Sequence, residues 1–488
     1  MALIRLYDKM PFYLVMTAMH ATKTIAAIAT ASGQGGVAMV RISGTNAYAI
    51  GQALTKRANF TERYAHFAKI YDGDGQVIDE AVVLYFKAPH SFTGEDVLEI
   101  QGHGGNILPN LILARCFELG ATPAQAGEFS YRAFDNGKLD LLQAEAISDA
   151  ISALSVAQAR SAVRSMSGQF SQNIHQLSEE IIQIRLYVEA MIDFSDEEDV
   201  DFLADGVLLA KIDALIDKLN ETLATAKQGV LLKQGVQIVL AGRPNAGKSS
   251  LLNALAKIDR AIVTDVAGTT RDTLQETVVL NGLTCHITDT AGLRDTDDTV
   301  EQMGIMRARQ AIDTADLVLL VYDVSDDIGF EGLVGELLGD VDKTKVIGVA
   351  NKLDLLDNQP DLLNKLAIST QNSDKQANDK QSYELCYVSC KTQAGLDALI
   401  AIICQKIGFY PNDNSIIART RHLDALRRTL DWLYKARTHL IDNQAGELSA
   451  ESLRLAQNSL SELTGEFSAD ELLGRISVSY THLTLPTS

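Results

Sequence analysis

The sequence predicts a multidomain α/β protein: an α+β region at the N-terminus, an all-α helical region, and a doubly wound α/β domain inserted into that helical region. Three observations predict it. First, Gly242-Arg-Pro-Asn-Ala-Gly-Lys-Ser249 fits the phosphate-loop pattern G-x4-G-K-S. It stands between the apolar run Val236–Ala241, which reads as a buried strand, and Ser250–Ala256, which reads as a helix. Second, proline is absent between Pro123 and Pro244 and again between Pro411 and Pro486, and Gly168 is the only glycine from Leu139 to Asp205. Two helix-permissive stretches therefore flank the phosphate loop. Third, Thr22 to Lys138 mixes short strand-like runs with turns.

In chain order, residues 1–21 read as an upstream extension, non-native or disordered, with a natural start at Met16 or Met19. The N-terminal domain is expected over 22–138, with strands at Val37–Ile42 and Ala81–Phe86 and a glycine-rich turn at Gly102-His-Gly-Gly105. His103 in that turn is a candidate for catalysis, though a turn histidine is the commoner outcome. Helices follow over 139–232, where Ile181, Ile184, Val188 and Met191 recur at helical spacing. The phosphate-loop domain spans 233–409, with a polar surface loop at Gln371–Ser382. Leu423, Leu426, Leu430 and Leu433 mark a second helical part over 410–476, and 477–488 form an atypical tail. One helical domain interrupted by the phosphate-loop domain is the economical arrangement; two separate helical domains are the alternative.

The chemistry is read from strand ends. Backbone N–H groups of the loop Asn245-Ala246-Gly247-Lys248-Ser249-Ser250 can surround phosphate oxygens, Lys248 can reach the β- and γ-phosphates, and the Ser249 hydroxyl can hold Mg²⁺. Asp289-Thr290-Ala291-Gly292 ends the run Leu283–Thr288, so its carboxylate can serve the Mg²⁺ shell and Gly292 the γ-phosphate. Asn351-Lys352-Leu-Asp354 ends Lys345–Ala350; the Asp354 carboxylate can accept from guanine N1–H and the 2-amino group, which adenine does not offer. Ser389-Cys-Lys391 follows Glu384–Val388 and suits the guanine O6. Thr270, in Gly268-Thr-Thr-Arg-Asp272, can complete the Mg²⁺ shell while the γ-phosphate is present. Four motifs in order, each at a strand end, predict a GTPase. Leu293 occupies the position where many GTPases carry a water-orienting glutamine, so another group must orient the water; the acidic stretch Asp295–Glu301 offers candidates, and a second cation could supply the positive charge of an arginine finger.

Composition limits the remainder. The chain has 488 residues and a formal net charge of −20, which argues against a broad basic nucleic-acid surface. Five cysteines without C-x2-C spacing suggest neither a disulfide framework nor a zinc site and fit a reducing cytoplasm. No apolar run approaches the ~18 residues of a membrane span.

The motifs together resemble the bacterial tRNA modification GTPases of the MnmE (TrmE) family, from about Thr24 to Ile476. The resemblance rests on Gly33-Gln-Gly-Gly-Val37 with Arg41-Ile-Ser-Gly44, Ser91-Phe-Thr-Gly-Glu-Asp96, Gln101-Gly-His-Gly-Gly105, Gly127-Glu-Phe-Ser130 and Asn136–Glu145, besides the GTPase motifs. It implies a Ras-like GTPase domain and an N-terminal domain that dimerises and binds a tetrahydrofolate carrier, with Arg41, Glu99 and Lys138 as its contacts. It also implies a homodimer joined by the flavoprotein MnmG, carrying FAD, in a heterotetramer. That assembly places an aminomethyl or carboxymethylaminomethyl group on C5 of wobble uridine 34 of certain tRNAs, with carbon from 5,10-methylenetetrahydrofolate. The resemblance places K⁺ where an arginine finger would stand, with Asn245, Thr264, Val266 and Thr269 as ligands, and makes Glu301 the residue that positions the attacking water. The chain departs from the family after Leu472-Leu-Gly-Arg-Ile476: the family's closing Cys-Ile-Gly-Lys is replaced by a tail without cysteine, which implies GTP hydrolysis with impaired tRNA modification. A ribosome-assembly switch of the Era or EngA kind shares the GTPase motifs and is the alternative, as is a folate-dependent one-carbon transferase without an RNA role.

Overall fold

The structure is a computed structural model that describes residues 23–31, 33–193, 206–258, 275–289, 306, 309–325, 329–339, 341–356, 383–410, 415–442 and 446–465. It forms two compact units. One runs to Glu145 and includes the segment from Ser461; the other is Ala146–Leu460.

In the first unit the chain forms β1 (Ile25–Ile28), β2 (Val37–Ser43), α1 (Ala47–Thr55), β3 (His66–Tyr71), β4 (Val77–Phe86), β5 (Val97–His103), α2 (Leu108–Glu118), β6 (Thr122–Pro123) and α3 (Glu128–Asp135). The strands make one sheet in the order β3-β4-β5-β2-β1-β6, antiparallel except for the β1–β6 pair. Alternation along β4 turns Ala81, Val83 and Tyr85 inward. On that face α1 and α2 contribute Ile50, Leu54, Ile112 and Cys116 to a core with Val40, Ile42, Leu98 and Ile100. The expected turn at Gly102–Gly105 differs in one respect: β5 continues through His103, because its backbone pairs with Val37 of β2.

The second unit, with the start of α4 and the end of α12 assigned to the first, takes in α4 (Leu141–Ile151), α5 (Val156–Met166), α6 (Gln169–Asp193), α7 (Val207–Gln234), β7 (Val236–Ala241), α8 (Lys248–Ile258), β8 (Gln275–Leu280), β9 (Leu283–Asp289), β10 (Leu317–Asp323), α9 (Gly329–Leu337), β11 (Val346–Asn351), β12 (Glu384–Tyr387), α10 (Leu396–Ile407), α11 (Thr420–Asp442) and α12 (Gly446–Thr464). The sheet order is β12-β11-β10-β7-β9-β8, parallel except for the β8–β9 hairpin. Strands buried on both faces read as unbroken apolar runs, which is why β7 and β11 are visible in the sequence. One face packs Ile238, Leu240 and Leu319 against α8 and α10; the other packs Val239, Val318 and Leu320 against α9. The chain leaves β7 toward β8 and β9 on one side, then returns to build β10, β11 and β12 on the other. The β7–β10 boundary is thus the point where strand order reverses, and the phosphate loop follows β7 there.

The helices before and after this sheet pack on one another, α11 along α7 and α6 along α7. On α6, Ile181, Ile184 and Val188 are buried as their spacing predicts. On α11 the stripe drifts: Leu423, Leu426 and Leu433 are buried, but at the third turn the fully buried residue is Thr429, whose hydroxyl donates to the Ala425 carbonyl, with Leu430 only half-buried. The two crossings into the sheet domain lie side by side. Asp149, 5 % exposed at its side chain, accepts from Lys233 Nζ at 2.7 Å, at the end of α7 where the chain enters the sheet domain, and from Arg419 Nη2 at 3.0 Å, just before α11 where it returns. Ser161 Oγ and Arg164 donate to the Ser415 carbonyl beside them. At the N-terminus of α5, Ser155 Oγ donates to the Gly282 carbonyl in the β8–β9 turn at 2.9 Å.

All five cysteines are reduced. Cys116, Cys285, Cys386 and Cys404 are buried and Cys390 is half-buried. Burial pushes the Cys116, Cys285 and Cys386 thiols up to about 12 and Cys390 up to about 11. No described helix is long and apolar enough to cross a membrane.

Candidate functional site

The loop after β7 is shaped by two glycines. Gly242 has φ +148°, and a Cβ there would run into the Val321 carbonyl oxygen of β10; Gly247 has φ +95°, and a Cβ would collide with the Asn351 side chain. Asn245 between them is left-handed at φ 64°. The loop opens directly into α8, so N–H groups of a helix N-terminus face the same space as the loop amides. Lys248, 6 % exposed, folds back and donates from Nζ to the Gly242 and Arg243 carbonyls at 2.8 and 2.9 Å. Ser249 Oγ lies 3.3 Å from Asp289 Oδ2 at the end of β9. A hydroxyl and a carboxylate are oxygen donors of the kind Mg²⁺ takes, so the pair fits that ion.

A cavity of about 730 Å³ joins this loop to the ends of β11 and β12. Asn245, Gly247, Lys248, Ser249 and Ser250 line one side, and Asn351, Lys352, Asp354, Cys390 and Lys391 line the other. Asn351, 2 % exposed, ties the two sides together: its Nδ2 donates to the Ala246 carbonyl at 3.1 Å, and its Oδ1 accepts from the Cys390 N–H at 3.3 Å. Ser389 Oγ donates to Asp354 Oδ1 at 2.6 Å, and this bond holds the Asp354 carboxyl below the usual carboxylate range. Lys352, left-handed at φ 66°, donates from Nζ to Asp323 Oδ2 at 2.6 Å. Burial of Asp323 works against its ionisation, but the bonds from Lys352 and Ser325 prevail and its carboxyl is held low. The cavity therefore offers loop amides and a lysine for phosphates, two oxygens for a hard cation, and a fixed carboxylate for a base that presents N–H donors.

Sequence reasoning missed Asp323. The run Leu317-Val-Leu-Leu-Val-Tyr322 ending in an aspartate carried the same strand-end signal as the others. It also missed the bridging role of Asn351, which no local pattern encodes. Thr264, Val266, Thr269, Thr270, Thr290, Ala291, Gly292, Leu293 and Glu301 lie outside the described residues, as do the Gln371–Ser382 loop and the 477–488 tail.

The first unit holds a second group of candidates. Arg41 on β2 and Glu99 on β5 face each other in register; Arg41 Nε and an Nη lie 2.9 and 2.8 Å from Glu99 Oε1. The Arg41 guanidinium lies over two phenyl rings, 5.4 Å from the centroid of Phe92 and 5.6 Å from that of Phe129. Lys138 is exposed, just beyond α3, in a turn whose Asn136 Nδ2 donates to the Thr93 carbonyl at 2.7 Å. A cation over two phenyl rings and a partly buried carboxylate suit a planar heterocycle that carries carboxylates. His103 stands at the end of β5, with Nδ1 2.6 Å from Asp79 Oδ1 and its own N–H donating to Asp79 Oδ2 at 2.8 Å. Asp79 raises the pKa of the His103 ring. Burial works against ionisation of Asp79, but the bonds from His103 outweigh it and hold its carboxyl low.

The profile of the MnmE helical domain matches residues 141–479, and that of the GTP-binding protein TrmE N-terminus matches residues 24–138. The tRNA modification GTPase MnmE of Psychrobacter sp. (strain PRwf-1) is 61% identical over 462 residues, 93% of this chain and 98% of that protein. The MnmE of Psychrobacter arcticus is 60% identical over 458 residues, covering 93% and 95%. That of Acinetobacter baylyi is 53% identical over 454 residues, again covering 93% and 95%.

Proposed function

From the premise that the chain belongs to the MnmE family of tRNA modification GTPases, we propose that it is a K⁺-stimulated GTP hydrolase. With a flavoprotein partner, it adds the (carboxymethyl)aminomethyl group to C5 of wobble uridine 34 in certain tRNAs, taking the carbon from a folate one-carbon unit. The observation that carries the GTPase part is the cavity in which the phosphate-loop Lys248 and the Ser389-held Asp354 carboxylate share one space.

In this reading Asp354 accepts from guanine, and Ser389 keeps it ionised and aimed. Lys248 exchanges the Gly242 and Arg243 carbonyls for phosphate oxygens. Ser249, Asp289 and Thr270 serve Mg²⁺, which supplies charge neutralisation at the phosphates. Asn245, Thr264, Val266 and Thr269 serve K⁺, which supplies the positive charge an arginine finger would bring. Glu301 positions water. In the other unit Arg41, Glu99 and Lys138 bind tetrahydrofolate, which supplies the carbon; the guanidinium and ammonium suit its glutamyl carboxylates, and Glu99 suits the N–H edge of its pterin. The protein acts in the cytoplasm as a homodimer, within a heterotetramer with the flavoprotein.

Two measurements test the proposal. Mass analysis of wobble uridine from a strain lacking the gene should show loss of the C5 group relative to the parent strain. Unmodified uridine levels identical in the two strains would remove the tRNA role. Titration of the protein with 5-formyltetrahydrofolate should show binding that Arg41→Ala weakens; equal affinity in parent and variant removes Arg41 from that site.

A further inference from the structure

We propose that Arg132 is a positioning residue for the folate site, setting the gap between the Phe92 and Phe129 rings in which the Arg41 guanidinium lies; this rests on the folate reading above. The two rings come from different segments. Phe92 is on the loop between β4 and β5, 38 % exposed, and Phe129 is on the first turn of α3. Arg132, one turn beyond Phe129, and Asn136 join those segments by hydrogen bonds.

Arg132 is 5 % exposed. Its Nη1 donates to both oxygens of Glu95, at 3.1 and 2.9 Å, and its Nη2 donates to Glu128 Oε1 at 2.9 Å. Its buried Nε finds no acceptor among the described residues. The head is thus held by the two carboxylates, one from each segment, a forked geometry that a lysine cannot copy. Glu95 carries the grip to the sheet: its Oε2 accepts from Ser43 Oγ at 2.7 Å, and Ser43 in turn bonds Thr93 at 2.7 Å. Ser43 is two residues beyond Arg41 on β2 and so lies on the same face of the strand. On the other side Glu128 accepts from the Gln125 N–H at 2.7 Å, which fixes the entry to α3. One buried guanidinium therefore fixes the Phe92 loop, the Phe129 helix and the strand bearing Arg41 relative to one another. The sequence separates these parts by tens of residues, so no local motif reveals the connection.

Acting through the rings makes a prediction that general destabilisation does not. If Arg132 matters because it places Phe92, removing Phe92 removes most of what Arg132 contributes. The experiment is calorimetric titration of the full chain with 5-formyltetrahydrofolate, for the parent, Arg132→Gln, Phe92→Ala and the double variant. The expected result is a loss of about tenfold or more for each single variant, and a double variant no weaker than the weaker single one, since coupled sites are non-additive. An unchanged affinity in Arg132→Gln, or losses that multiply in the double variant, overturns the proposal. Should Arg132→Gln lack a cooperative melting transition, Glu95→Gln replaces it: it keeps the bond to Ser43 and weakens only the grip on Arg132. The same non-additivity is expected of it, and multiplied losses overturn the proposal equally. A parent chain that binds no folate refutes the folate reading itself, whereas a binding parent with multiplied losses refutes only the role of Arg132.

Discussion

Asn351→Ala is the substitution whose consequences follow most directly from the geometry. The side chain is 2 % exposed and serves two partners that have no helix or strand to fall back on: the Ala246 carbonyl in the phosphate loop and the Cys390 N–H in the loop after β12. Removing the amide orphans both. A buried polar group left unpaired costs ~1–3 kcal/mol, so the two together cost ~2–6 kcal/mol. Gly247 and Cys390 line the cavity, so water can reach the gap, and the lower half of that range applies, ~2–4 kcal/mol. Part of this falls on folding and part on nucleotide affinity, because the two loops that frame the cavity lose a side-chain bridge between them. Urea unfolding should lower the stability of the phosphate-loop domain by ~2 kcal/mol, and GDP titration should show affinity down by ~10-fold or more. Asn351→Asp sharpens the test. It keeps the acceptor for Cys390 but sets a carboxylate against the Ala246 carbonyl, so it should bind GDP no better than the alanine variant. If Asn351→Asp binds like the parent, the bond to Ala246 carries nothing and the bridging argument fails.

Other expectations follow from the same geometry. Asp354→Asn should weaken GTP binding ~10²-fold or more and favour xanthosine triphosphate, because a site built around N–H donors rejects a ligand whose donors it no longer accepts; competitive displacement with the two nucleotides measures this, and unchanged selectivity excludes Asp354 as the base reader. The His103 ring should titrate above 6.5, and Asp79→Asn should bring it down, as followed by NMR. For the pair, the Asp79 contribution is lost as pH falls through its lowered pKa, below 3.8, and the His103 contribution is lost as pH rises through its raised pKa, above 6.5. The melting-temperature gap between parent and His103→Ala is therefore widest between those limits and narrows in alkali; a gap independent of pH contradicts the pairing. Hydrolysis of GTP should be faster in KCl than in NaCl at equal ionic strength, and dimerisation in GDP with aluminium fluoride should follow the same cation order; Glu301→Ala should lower the rate and spare that dimerisation. Equal rates and dimer fractions in the two salts would sink the cation reading.

What was legible in the sequence was what is local or periodic. β7 and β11 stand out because strands covered on both faces read as largely apolar runs; Asp354 could be singled out because it follows β11, and Ser389 because it follows β12, a short edge strand. The α6 stripe of Ile181, Ile184 and Val188 is buried as its spacing requires. What the sequence did not disclose depends on partners far apart in the chain. Thr429, between the buried Leu426 and Leu433, takes the core position expected of Leu430, and its hydroxyl is satisfied within the helix. Asp323 acquires meaning only from Lys352, Asn351 only from Ala246 and Cys390, and Arg132 only from Glu95. His103 was read as part of a turn because the glycines around it dominate the local signal, whereas the register with β2 extends the strand through it.

The state of the five thiols has a practical consequence for watching this protein work. At neutral pH a group whose pKa is about 11 or 12 is ionised in no more than about one molecule in ten thousand, and the thiolate is the form that reacts with maleimides and methanethiosulfonates. Four of the five are also shut away from reagent, and the half-buried Cys390 sits in the cavity wall, where bound nucleotide would screen it. A single cysteine introduced at an exposed position, such as Tyr64 in the first unit or Tyr410 in the second, should therefore accept a spin label or fluorophore selectively in the otherwise natural chain. Distances between labels could then be followed through a round of GTP hydrolysis without first stripping out the native cysteines, three of which help fill the core of the nucleotide domain.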